Sequence, residues 1–116
     1  MQQQRLDGMH VAILLTDLFE QVEMTEPRKA LDSAGARTSI VAPHRGQVQA
    51  MNHDTKSDTF PVDLSLDQAQ PADFDALLLP GGAMNADKLR MEPAAREFVR
   101  TIDDQDKPIA VICHAP

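Results

Sequence analysis

Three short apolar runs constrain the fold of this chain more than any other feature of the sequence. They cover residues 11–15, 76–79 and 109–112 and contain almost no polar side chain. Short, continuous apolar runs are typical of strands that are buried on both faces of a parallel sheet. The sequence therefore predicts an α/β fold, in which helices cover such a sheet.

The segments between these runs predict the rest of a doubly wound arrangement. A helix is predicted over residues 25–34, with Pro27 in its first turn and Gly35 just beyond its end. Residues 38–42 are the next strand and complete a right-handed β-α-β unit. A second helix is predicted over residues 93–106, because its apolar residues fall on one helical face.

The domain boundaries follow from the same pattern. Residues 48–51 and 59–62 predict a short antiparallel excursion around a polar tip. We assign residues 1–9 to an N-terminal tail and residues 10–116 to one α/β domain. Because the last strand is apolar on both faces and no helix follows it, we expect this to be the N-terminal part of a domain that continues beyond residue 116.

Charge and composition argue against several classes of function. The 116 residues carry 11 basic and 18 acidic side chains, a net charge of −7, which disfavours nucleic acid and anionic membrane surfaces as partners. No apolar run approaches the roughly 18 residues of a membrane span. The single cysteine forms no internal disulfide, so we expect a cytoplasmic, reducing location.

Unusual residues follow three of the predicted strands at their carboxyl ends, where open α/β sheets bind ligands. Carboxylates follow the first strand, a glycine pair follows the third, and a cysteine–histidine pair follows the fourth. In chain order these residues are Asp17, Glu20, Glu23, Gly81, Gly82, Cys113 and His114. They are expected to meet in one crevice.

Cys113 has two interpretations. It is an inert, buried cysteine, or it is a nucleophile on a tight strand-to-helix turn, where a helix N-terminus lowers a thiol pKa from ~8.5 to ~3.5–7.5. His114 is either the base that moves the proton or a surface histidine, since adjacent strand residues point to opposite faces. In either case its backbone N–H can stabilise an oxyanion, together with an N–H of Gly81 or Gly82.

Glu20 and Glu23 lie one helical turn apart. They are either acids that favour a helix start, or one of them is a buried, protonated carboxyl that donates a hydrogen bond to the Cys113 thiolate. The sequence alone does not choose between the two. His44, His53 and Asp54 fit no standard metal-ligand spacing, so we predict no metal and no cofactor.

Together these motifs resemble those of a known family. Residues 12–23, 77–82 and 109–116 resemble the PfpI/ThiJ family of the class I glutamine amidotransferase-like superfamily, and residues 51–63 resemble its stress-induced bacterial branch. The resemblance implies a flavodoxin-like sandwich that forms a homodimer or a larger homo-oligomer. It also implies that Cys113 is the nucleophile, that Glu23 contacts it, and that the amides of Gly82 and His114 form the oxyanion hole.

Members of that family are described as intracellular cysteine peptidases, as deglycases or glyoxalases, and as stress chaperones. Peptidase-type members complete a triad with an acid from a neighbouring subunit, and the matching position here is Ala86, with Asp87 beside it. Our leading hypothesis is a stress-response cysteine hydrolase acting on small carbonyl, glycated or peptide substrates. The alternative is a redox sensor, oxidised at Cys113, or a chaperone.

Overall fold

Eight strands and three α-helices make up the part of the chain that the computed structural model describes, residues 5–112. Cys113 and His114 therefore lie outside the described residues. The elements in chain order are β1 His10–Leu14, β2 Phe19–Glu20, α1 Gln21–Ser33, β3 Arg37–Ala42, β4 Gln47–Asn52, β5 Thr55–Pro61, β6 Leu64–Ser65, β7 Ala76–Leu79, α2 Ala83–Arg90, α3 Pro93–Asp104 and β8 Ile109–Val111.

The central sheet has five strands in the order β6-β3-β1-β7-β8, and every pairing between them is parallel. This confirms the predicted α/β fold with a mainly parallel sheet. The predicted antiparallel excursion is also confirmed: β4 and β5 form a hairpin, and β2 joins it by parallel pairing with β4. We call the pair of strands β4 and β5 the β4–β5 hairpin.

The two faces of the central sheet are packed separately, because successive side chains of β1 point to opposite sides. Ile13 belongs to a cluster that includes Phe19, Met24 of α1 and Val48 of the hairpin. Leu14 belongs to the other cluster, which is formed with the buried face of α3 and with Phe74. Of the four apolar positions predicted on one face of α3, Ala95, Phe98 and Ile102 are buried and Val99 is partly buried.

The start of the first helix was predicted wrongly. The helix α1 begins at Gln21, with Glu20 in an extended conformation as its N-cap, so Pro27 lies inside the helix rather than in its first turn. A proline within a helix gives up one backbone hydrogen bond. Burial of Met24 in the core keeps this segment helical, and tertiary packing thus outweighs the local cost. The predicted end is right, with Gly35 at a φ of 99°.

The last strand was predicted to be buried on both faces, and the structure shows that it is partly exposed. Within the described residues, β8 pairs only with β7, and Val111 is 57% exposed. Beside it lies a largely apolar cavity of about 940 Å³, lined by α2, α3 and the ends of β7 and β8. No helix among residues 5–112 has the length and apolar character needed to cross a membrane.

Candidate active site

The carboxyl ends of β1, β7 and β8 meet at one edge of the sheet, as the sequence predicts. The N–H of Glu20 donates to the carbonyl of Gly81 at 3.1 Å, which joins the segment after β1 to the segment after β7. The N–H of Ile112 donates to the carbonyl of Leu79 at 2.9 Å. Three separate parts of the sequence are thereby held side by side.

Glu23 lies at the centre of this arrangement. Its carboxyl oxygen Oε1 is shielded from solvent and packs directly against the backbone of Gly81. A Cβ atom on Gly81 would collide with that oxygen and would also lie 2.8 Å from the carbonyl oxygen of Ile112. The Glu23 carboxyl therefore reaches the end of β8, immediately before Cys113 in the sequence.

Gly82 directly precedes α2 and adopts a backbone conformation that other residues rarely reach. It is the N-cap of α2, with a φ of 116°. A Cβ atom there would lie 3.0 Å from the backbone nitrogen of Glu20 and 3.0 Å from the carbonyl oxygen of Leu18. Because the first amides of a helix have no acceptor within it, this N-terminus offers donors to a developing negative charge.

Glu20 and Glu23 take different directions. Both carboxylate oxygens of Glu20 accept the backbone N–H of His53, at distances of 3.0 and 3.2 Å. Glu20 is thus engaged with the tip of the β4–β5 hairpin, where His53 has a φ of 59°. Of the two glutamates, Glu23 is the one that the fold brings to Gly81.

Asp17 ties the same segment to the other end of the hairpin. Its Oδ1 accepts the backbone N–H of Gln49 at 2.8 Å, and its Oδ2 lies 3.1 Å from Nε2 of His44. His44 is therefore engaged in a structural contact. Across the described range 5–112, no three His, Cys, Asp or Glu side chains are grouped closely enough to hold a metal ion.

The accessory residues after the glycine pair lie on α2. Asp87 is exposed, with its carboxylate 3.5 Å from the guanidinium of Arg90. Ala86 faces the apolar cavity. Within one chain, Asp87 thus faces solvent rather than Glu23.

Sequence reasoning missed Asn85, although it is 1% exposed and joins two of the site's segments. The whole of α2 was missed, because Ala83–Arg90 has a weak apolar face and its one buried residue is polar. The basic residues Lys88 and Arg90 in its last turn are the signal that was available, since cations favour a helix C-terminus.

An open parallel sheet with a glycine turn, a helix N-terminus and a solvent-shielded carboxyl oxygen at its carboxyl edge defines a flavodoxin-like α/β protein with a site at that edge. The DJ-1/PfpI family model matches residues 9–116, and the chain belongs to the DJ-1/PfpI family.

Curated relatives carry two kinds of name. General stress protein 18 of Bacillus subtilis is 37% identical over 109 residues, which cover 94% of this chain and 62% of the relative. "Putative cysteine protease YraA" of the same organism is 35% identical over 106 residues, covering 91% of this chain and 60% of that protein. The chain thus spans about three fifths of the length of these relatives.

Solved structures show the same fold. A two-domain protein of Anabaena variabilis, with DJ-1/ThiJ/PfpI-like and ferritin-like domains, aligns with a TM-score of 0.81 at 28% identity over 94% of this chain and 30% of its own. The DJ-1 superfamily protein STM1931 of Salmonella typhimurium aligns with a TM-score of 0.76 at 30% identity, covering 89% of this chain and 54% of that protein.

Proposed function

We propose that this protein is a cysteine-dependent hydrolase of the stress response, with Cys113 as its nucleophile. The observation that carries the proposal is the contact of the Glu23 carboxyl with Gly81, beside the carbonyl of Ile112. It joins an acid whose Oε1 is shielded from solvent, a glycine turn and the strand that leads into the cysteine. Relatives named as a stress protein and as a protease support the same class.

The reaction begins when the Cys113 thiolate adds to a carbonyl carbon. A C–S bond forms, and the π electrons of the C=O bond move onto oxygen. The amides of Gly82 and His114 stabilise this oxyanion, as donors aimed at developing charge do in other acyl-transfer enzymes. The oxyanion then takes the proton that His114 removed from the thiol, which gives a hemithioacetal. In a 2-oxoaldehyde such as methylglyoxal, His114 moves the C1 proton to C2 through an enediol, so the C1 hydroxyl becomes a carbonyl, the C2 ketone becomes a hydroxyl, and no outside oxidant is needed. Water then hydrolyses the resulting 2-hydroxyacyl thioester, the C–S bond breaks, and the products are a 2-hydroxy acid and the free thiol.

Glu23 stabilises the nucleophile in this scheme. In its protonated form the carboxyl donates a hydrogen bond to the thiolate, which favours the charged state of the sulfur. Its shielded Oε1 suits this role by position, because it packs against Gly81 beside the carbonyl of Ile112, which directly precedes Cys113.

The proposed substrates are small carbonyl compounds or glycation adducts rather than peptides. Ala86 occupies the position of the acid that completes the triad of peptidase-type relatives, and Asp87 pairs with Arg90 instead. We further propose a cytoplasmic location and a function without nucleic acid, membrane or cofactor. We also propose a homodimer or larger homo-oligomer, whose mass light scattering on the full-length protein would measure.

Turnover of methylglyoxal, of a glycated thiol and of a peptide tests the proposal. We expect the wild-type protein to consume one of the first two, Cys113→Ser to be inactive, and Glu23→Gln to lose about 10-fold or more in kcat. Glu26→Gln is the matched control, since it makes the same change at an exposed position on α1.

Two results would contradict the hydrolase. One is equal turnover by wild type and Cys113→Ser. The other is no turnover by either together with reversible oxidation of Cys113, which would support the redox-sensor alternative. Alkylation by iodoacetamide against pH is an independent check, because a midpoint at or above that of free cysteine, ~8.5, contradicts an activated nucleophile.

A further inference from the structure

Asn85 connects the two segments of the site through its side-chain amide. Its Oδ1 accepts the backbone N–H of Thr16 at 2.7 Å, and its Nδ2 donates to the carbonyl of Pro80 at 3.1 Å. The residue is 1% exposed, so water does not replace either bond in the folded protein. One rigid amide group thus spans the ends of β1 and β7.

The two backbone groups that Asn85 holds are the entry points of the site. Thr16 begins the segment that leads to Glu23, and Pro80 directly precedes Gly81 and Gly82. Moving one of these segments relative to the other would change the distance between the Glu23 carboxyl and the Gly82 amide. A buried polar group left without its partner is strongly disfavoured, so this pairing favours a single arrangement.

We propose that Asn85 is a positioning residue, which fixes the Glu23 carboxyl and the amides at the N-terminus of α2 in a common geometry. The inference rests on the proposed function for its catalytic meaning. Asn85 itself contacts neither the substrate nor the reacting atoms. Its amide supplies one acceptor and one donor at opposite ends, a combination that neither aspartate in its charged form nor serine reproduces.

Two variants of the full-length protein test the role. Asn85→Ser removes both bonds, and we expect kcat to fall by about 10- to 100-fold while KM changes by less than about 3-fold, because a displacement of about 1 Å costs as much as ~10²-fold in rate. Asn85→Asp keeps the acceptor for Thr16 but loses the donor to Pro80 when it is charged.

The pH dependence of Asn85→Asp separates positioning from general damage. A protonated aspartic acid has an O–H that can donate to the Pro80 carbonyl, while its other oxygen still accepts from Thr16. We expect the ratio of variant to wild-type kcat to rise by about 5-fold or more as the pH is lowered from 8 to 6, because a buried carboxyl gains its proton in that direction.

Ile102→Val controls for lost stability, since it removes one buried methyl group from α3, which belongs to neither segment. Both Asn85 variants are compared with it at a temperature where all are folded, as monitored by circular dichroism. A loss of kcat by Asn85→Ser no larger than that of Ile102→Val would overturn the proposal, as would a flat kcat ratio for Asn85→Asp.

Alkylation of Cys113 distinguishes failure of this inference from failure of the proposed function. It needs no substrate and reports the surroundings of the thiol directly. If the wild-type protein turns over nothing, but Asn85→Ser alone shifts the pH midpoint of alkylation by about 0.5 unit or more, the positioning role stands and the hydrolase does not. If Asn85→Ser and Ile102→Val both keep the wild-type midpoint, the positioning role is wrong.

Discussion

The carboxyl group of Glu23 occupies the space beside Gly81 that a Cβ atom would fill. Gly81→Ala is therefore expected to displace this carboxyl and to lower kcat by about 10-fold or more, since small shifts of a reacting geometry have large effects on rate. Steady-state kinetics measure the loss. Gly8→Ala controls for general damage, because nothing lies within 4 Å of its added methyl group and the strain at its φ of 85° falls outside the site.

The same contact makes a double-mutant prediction. In the Glu23→Ser background, the methyl group of Gly81→Ala no longer collides with the Glu23 carboxyl. The loss of unfolding free energy caused by Gly81→Ala is therefore expected to be smaller by about 0.5–1 kcal/mol. The remainder reflects the Ile112 carbonyl, 2.8 Å from the added atom. Strict additivity of the two substitutions would show that Glu23 does not hold this place in solution.

His10 predicts how stability depends on pH. Its ring packs against Phe74, its Nε2 lies 2.7 Å from Oγ of Ser39, and the Arg37 guanidinium lies 3.0 Å from its Nδ1. Burial lowers the pKa of His10, and the positive charge of Arg37 lowers it further, against the opposing effect of Asp73 and Asp75.

The folded protein consequently binds a proton at His10 less readily than the unfolded chain does. The free energy of unfolding is expected to be highest above pH ~6.5 and to fall as the pH drops below that value. Urea titrations at several pH values measure this slope. His10→Gln should flatten it, whereas a slope that His10→Gln leaves unchanged, and that exposed His53→Gln removes, would contradict the assignment.

Asp106 follows α3 with a φ of 56°, a conformation in which glycine is favoured. Asp106→Gly is expected to stabilise the protein by about 0.5–1 kcal/mol, because it relieves this backbone and removes an acid from a helix C-terminus. Asp104→Gly removes an acid from the same helix C-terminus but relieves no left-handed backbone, and the conformational entropy of glycine in α3 should offset that gain. Equal effects in thermal denaturation would refute the distinction.

Sequence patterns predicted β1, β3, β7 and α3 well, because their apolar residues are also the residues that the fold buries. They located β8 but not its exposure, and they missed the two-residue strands β2 and β6. They failed where the buried residue of an element is polar. The one buried residue of α2 is Asn85, so that helix had no apolar signal. The start of α1 was misplaced because Pro27 reads as a helix opening, although core packing extends the helix back to Gln21.

The site was predictable in outline but not in its contacts. Because the carboxylates and the glycines all follow strand ends, the sequence predicted that they would lie close together. Spacing alone could not separate Glu20 from Glu23, because a helix that included both would place them on one face. The distinction depends on the β4–β5 hairpin, whose His53 N–H engages Glu20. That pairing is long-range and leaves no local trace in the sequence.

The order of strands in the central sheet bears on how the chain folds as it is synthesised. From β1 in the middle, β3 and then β6 add to one side, and β7 and then β8 add to the other. Each strand therefore leaves the ribosome after the neighbour on which it pairs, and none must be inserted between two strands already joined. The sheet can grow outward from its first strand. The cysteine that follows β8 is synthesised only after all five strands of this sheet.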